Sequence, residues 1–222
     1  MNWLKFLMVD ARLMKSQKVF LIGFPLLAVV LGMSSGDMLF VISYLCFGVM
    51  IVSTTPFLLE TKNMSSFIHL LPGNERDKVA GRYTCFLAML LLFAAFGFVA
   101  CAAGVAVGHR IMQGGDVYIS VAIILASIII GSLQFIIFYV AGRGKGEQWL
   151  NIVRVIPAFL FFFATNYVIE ALTDHDKEIE NVVHFISQNR AVLLAVGAVL
   201  AFGVFGVCIS ISTAVVRRRD VS

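Results

Sequence analysis

Charge is what this sequence has least of. Asp, Glu, Lys and Arg make up 14% of the 222 residues, against about 25% in soluble domains. A chain that is 60% hydrophobic cannot hide that much apolar surface in a water-soluble fold of this length, so composition assigns it to the integral membrane class. The strict polar–apolar alternation of a membrane β-barrel is missing as well, and the spanning elements are therefore helices. Cysteine is sparse, with Cys46, Cys85, Cys101 and Cys208 all in or beside apolar runs and no C-x-x-C among them. They read as small apolar fillers rather than disulfide partners or metal ligands.

Other absences remove whole function classes. None of the four histidines (His69, His109, His175, His184) falls within an apolar run. An intramembrane hydrolase needs polar catalytic groups at membrane depth; there is no H-E-x-x-H, no Ser–His arrangement across the runs and no pair of buried glutamates. The basic turn "GRGKGEQW", Gly142–Trp149, lacks the G-x-x-x-x-G-K-[ST] of a phosphate loop and follows no strand. The reading is of a non-enzyme that binds no ATP itself, with no catalytic and no metal site. The acidic outer segment 173–190, with His175 and His184, reads as solvated surface rather than a metal site.

What is present is a set of long apolar runs. Six are expected to span a bilayer, where about 20 apolar residues suffice: Val19–Met33, Met38–Leu59, Thr84–Val107, Tyr118–Ala141, Val155–Leu172 and Ala191–Val216. Pro56 in "STTP" (Ser53–Pro56) is expected to kink the second, and the first, being short, borrows residues from the segment before it. Ser127, Ser132 and Gln134 make the fourth mildly polar on one side, which suits helix–helix adhesion, as do Gly104, Gly131, Gly203 and Gly206. Phe159, Phe161, Phe162 and Phe163 stand together on the fifth, as an aromatic wall for cargo or as a face toward lipid.

Lys and Arg set the orientation. With the N-terminus inside, fourteen of the seventeen fall in inner segments (Lys5, Arg12, Lys15, Lys18; Lys62, Arg76, Lys78, Arg82; Arg143, Lys145, Arg154; Arg217–Arg219), leaving Arg110, Lys177 and Arg190 outside. Both termini are then cytoplasmic. The net charge of +4 belongs to this collar and implies no nucleic acid.

Residues 1–18 are amphipathic. Trp3, Leu4, Leu7, Met8, Ala11 and Met14 recur at helical spacing while Lys5, Arg12 and Lys15 reach water, the pattern of a helix lying in the membrane interface. Residues 60–83 concentrate seven of the thirty charged residues between two uncharged runs. There Ser65 or Ser66 caps a short helix through Phe67, Ile68, His69, Leu70 and Leu71, Pro72-Gly73 turns the chain, and Asn74 opens a new helix through Glu75, Arg76 and Asp77 into span three. Apolar residues on such a knob within a polar collar read as a docking surface.

With its leading "FIHL", "LLPGNERDKVAGRY" (Leu70–Tyr83), which joins a Leu-Pro pair to V-x-G-R-Y at the start of a span, resembles the signature of type-2 ABC transporter permeases. Size and layout are similar to permeases of the phenol-soluble-modulin exporters of Gram-positive bacteria. The resemblance implies a single permease domain over 1–222 in a bacterial plasma membrane, with an elbow helix at 1–18 bearing Trp3, Leu4, Leu7 and Met8. It implies a coupling helix around Ser65–Leu71 seated, with Pro72 to Arg76, against a separate ATPase, and a weaker contact from Arg143–Asn151. Two copies, or one and a paralogue, would pair with two ATPases that carry the ATP and Mg. An amphipathic peptide or another hydrophobic, lipid-like molecule is the expected cargo. The competing reading is a membrane sensor or assembly protein that docks a soluble partner and transports nothing.

Overall fold

The structure, a computed structural model, describes residues 3–35, 37–59, 74–106, 114–141, 147–173 and 188–220. The described residues build helices α1 (Trp3–Met14), α2 (Lys18–Ser35), α3 (Met38–Val52), α4 (Thr55–Leu59), α5 (Glu75–Ala106), α6 (Gly114–Ala141), α7 (Glu147–Thr173) and α8 (Arg190–Asp220), with a 3-10 turn at Lys15–Gln17. Helix is the only regular structure that satisfies every backbone group within one segment in lipid, which is why uninterrupted apolar runs take this form.

Five spans are long and apolar enough to cross a membrane: α3 with α4 as one (Met38–Leu58), then α5, α6, α7 and α8. A sixth results if α1 and α2 count as one bent unit, the two meeting at 84°. This is the sense in which the short first run borrows from the segment before it. The expected kink in span two is a full break at Ser53-Thr54, after which α4 restarts at Thr55. Asp37 opens that span by accepting at Oδ1 from the amides of Leu39 (3.0 Å) and Phe40 (3.2 Å), satisfying two of the free N–H groups at a helix start.

The core is centred on α3, whose Val41, Ile42, Leu45, Val49 and Met50 are all buried. Helices α2, α5, α6 and α7 surround it, and α8 packs along α6 and against α5. Of the four glycines expected at helix contacts, Gly104 abuts the Gly32 carbonyl and Gly131 the Phe86 ring. Gly203 and Gly206 do not fit that expectation: nothing lies within 4 Å of the Cβ position of either. All four cysteines are buried and free.

The phenylalanine row on α7 divides by helical turn. Phe161 is in the core. Phe159 and Phe162 pack on Phe47 of α3 at 5.0 and 5.5 Å between ring centres, while Phe163 is exposed and stacks on Phe159. Glu170 is exposed near the end of α7.

Candidate coupling site

Residues 60–73 connect α4 to α5, and Ser65–Gly73 of the expected coupling segment lie outside the described residues, as do 142–146 and 174–187. Asn74, Glu75 and Arg76 are described. Helix α5 starts at Glu75, with the carbonyl of Asn74 accepting from the amides of Asp77 (2.9 Å) and Lys78 (3.2 Å). Glu75 and Asp77 in the first turn suit the positive end of the helix dipole. Asn74 and Arg76 are exposed.

The next turn of α5 carries the G-R-Y of the sequence signature, and successive residues 100° apart on a helix face different neighbours. Gly81 faces α1: a Cβ there would sit 2.8 Å from the Trp3 carbonyl oxygen and 2.8 Å from the Phe6 Cβ. Only glycine lets the two backbones approach this closely. Arg82 reaches the same helix, its Nε donating to Asp10 Oδ2 at 3.2 Å and its Nη2 to Oδ1 at 3.5 Å. The pair is almost fully buried, with side chains 8% and 5% exposed. Tyr83 turns toward α6 and α8. Its hydroxyl lies 3.2 Å from the Ser132 carbonyl, to which it donates, and 3.0 Å from Ser212 Oγ.

Arg82 also ties α5 back to α4. Its guanidinium carbon lies 4.4 Å from the centre of the Phe57 ring, a cation–π contact. Phe57 is in turn stacked on Phe138 of α6 at 4.9 Å. One side chain thus joins α4 to α5, the helices on either side of residues 60–73, while gripping α1. Asp10 is what makes the clasp tolerable, because a buried guanidinium without a counter-charge is strongly unfavourable.

This arrangement changes the reading of α1. Leu4, Met8 and Ala11 are exposed, as a membrane-facing stripe requires, and Trp3 and Leu7 are half-buried. The buried face is instead Phe6, Asp10 and Met14, packed against α5. Sequence reading passed over Asp10 and treated Arg82 as one more orientation charge. A signal was available: Asp10 sits four residues from both Phe6 and Met14, so it lies on an apolar stripe, where an acid requires a cation.

Toward the same end of the bundle lies a second polar cluster. Gln134, buried in α6, donates through Nε2 to the Val153 (3.1 Å) and Arg154 (2.9 Å) carbonyls of α7. Ser127 and Ser132 also donate to carbonyls of their own helix, whereas both donations from Gln134 cross to a neighbour.

The family profile described as "ABC-2 family transporter protein" matches residues 5–217. Neither a curated protein nor a solved structure matches the chain. The match runs from within α1 to the last turn of α8 and so takes in the clasp, the core and every span. Membership of this family implies a multi-pass membrane context and an ABC ATPase as partner. The chain belongs to the ABC-2 transporter family, as a membrane permease.

Proposed function

We propose that this permease is half of the translocation path of an ATP-driven exporter, with residues 65–76 as the contact for a separate ATPase. The observation that carries the reading is the Asp10–Arg82–Phe57 clasp, which joins the helices on either side of residues 60–73 in a chain matched to the family over 5–217. A docking knob is useful only if its displacement reaches the spans. Here both of its ends are fastened to each other and to α1.

On this reading the end bearing α1 faces the cytoplasm, both termini are cytoplasmic, and the exposed stripe of Leu4 and Met8 rests α1 on the inner leaflet. Phe67, Leu70 and Leu71 fill a pocket of the ATPase while Glu75, Arg76 and Asp77 supply the polar rim. ATP and Mg act on the partner, whose closure moves the knob. Two permease chains and two ATPases complete the assembly. Phe159 and Phe163 present an aromatic face that suits an amphipathic peptide. The likeness in size and layout to phenol-soluble-modulin exporter permeases supports the same cargo class and a bacterial plasma membrane.

Co-expression with the ATPase encoded beside the gene tests this directly. The expected result is a detergent-stable complex that hydrolyses ATP. A chain that binds no ATPase would instead be read as a sensor or assembly protein.

A further inference from the structure

Two helix breaks and an internal proline lie toward the α1 end of the bundle: the 84° turn between α1 and α2, the break between α3 and α4, and Pro157 within α7. The last two leave backbone carbonyls open. Proline has no N–H for the carbonyl four residues earlier, so Pro157 leaves Val153 without its helical donor. The break at Ser53-Thr54 similarly interrupts the ladder at the end of α3. Bare carbonyls are costly in a bilayer and must be met by other groups.

The groups that meet them come from other helices. Gln134 of α6 donates to Val153, the carbonyl that Pro157 leaves open, and to Arg154 beside it. Arg154 reaches across to α3 and donates through Nε to the Ile51 carbonyl at 2.9 Å, where Thr54 Oγ1 also donates. Its Nη2 donates to Gln17 Oε1, in the turn between α1 and α2, at 3.2 Å. Nε and Nη2 lie on one edge of a rigid planar fork, so a single guanidinium holds the two acceptors in a fixed relation. A lysine would serve one of them.

We propose that Gln134 and Arg154 bind these three places into one joint, so that the turn after α1, the break before the coupling segment and the turn of α7 around Pro157 shift together. Arg154 is a positioning residue: it acts through the backbone of α3 and the side chain of Gln17. The tie is a statement about the chain itself; its use in passing movement from the coupling segment into α7 rests on the permease reading above.

Hydrogen exchange of the full chain in nanodiscs, read by mass spectrometry, tests the tie. Arg154→Lys keeps the charge and loses the fork. It is expected to speed exchange several-fold, up to about tenfold, in peptides covering 15–18 and 51–58 as well as 150–158, the scale of one lost hydrogen bond, with α8 unchanged. Gln134→Met is expected to do the same from α6. Pro157→Ala restores the amide that Val153 lacks, so Gln134→Met placed in that background should have less than half its effect. Changes confined to 150–158 in Arg154→Lys, or a Gln134→Met effect undiminished by Pro157→Ala, would overturn the tie. With the ATPase bound, nucleotide should alter exchange at 51–58 and 150–158 together in the wild type and at only one of them in Arg154→Lys. Coordinated changes that persist in the variant also count against the tie, whereas a wild-type chain that binds no ATPase defeats the permease reading and leaves the three earlier comparisons to decide the tie.

Discussion

Helices α3 and α8 are both apolar spans, yet 78% of the apolar window of span two is buried within the chain and only 11% of that of α8. Hydropathy does not distinguish them, because lipid accepts the same side chains that a packed neighbour does. Polar residues do distinguish them. Span two buries Ser43 and Ser53-Thr54-Thr55, whereas the described part of α8 buries one polar side chain, Ser212, and turns Val192, Val196, Val199 and Phe202 outward. The clasp and the Gln134–Arg154 cluster sit on the packed side of this division, and the Tyr83 hydroxyl meets α8 at that one buried serine. In this protein the scarce polar groups mark where helices meet.

The contrast can be broken most severely at the clasp. Asp10→Asn leaves a buried guanidinium without its counter-charge and should destabilise the protein by about 3–5 kcal/mol, read as a lowered melting temperature in detergent. Asp10→Leu combined with Arg82→Met should recover most of that loss. If Asp10→Asn melts like the wild type, the pair does not hold α1 in place. Next in size is Gly81→Ala, whose methyl would meet the Trp3 carbonyl and Phe6. A cost of about 1–3 kcal/mol is expected for such overpacking, against none for Gly203→Ala, where the Cβ has open space. Equal effects at the two glycines would erase the distinction between packed and lipid-facing helices. Tyr83→Phe, which removes one hydroxyl shared by α6 and α8, should cost about 1 kcal/mol. The smallest effect belongs to Val199→Ala on the exposed face of α8, within about 0.5 kcal/mol of wild type.

Much of the scaffold was legible in advance. Apolar run length locates every span to within a few residues at most ends, "STTP" announces the break in span two, and the spacing of Trp3 to Met14 announces α1. Pairings across the fold were not legible. Asp10 and Arg82 stand 72 positions apart, and Arg154 and Ile51 stand 103 apart, distances at which no local period carries information. Arg82 and Arg154 were counted for orientation because basic residues near span ends ordinarily serve that purpose; their donors turn inward only because α1 and α3 bring acceptors to them. The glycines fail for the same reason. Gly104 and Gly203 look alike in sequence, and only the helix opposite decides which one is a contact.

The central claim is that residues 65–76 meet an ATPase and the exposed faces of α7 and α8 do not. Photo-crosslinking in membranes containing the neighbouring ATPase tests it most directly, with a benzophenone amino acid placed at Phe67 in one variant and at Phe163 in another. The account predicts an ATPase adduct from position 67 and none from position 163, abolished at 67 by adding Leu71→Asp. An adduct from position 163, or none from 67 while the ATPase co-purifies, would contradict it.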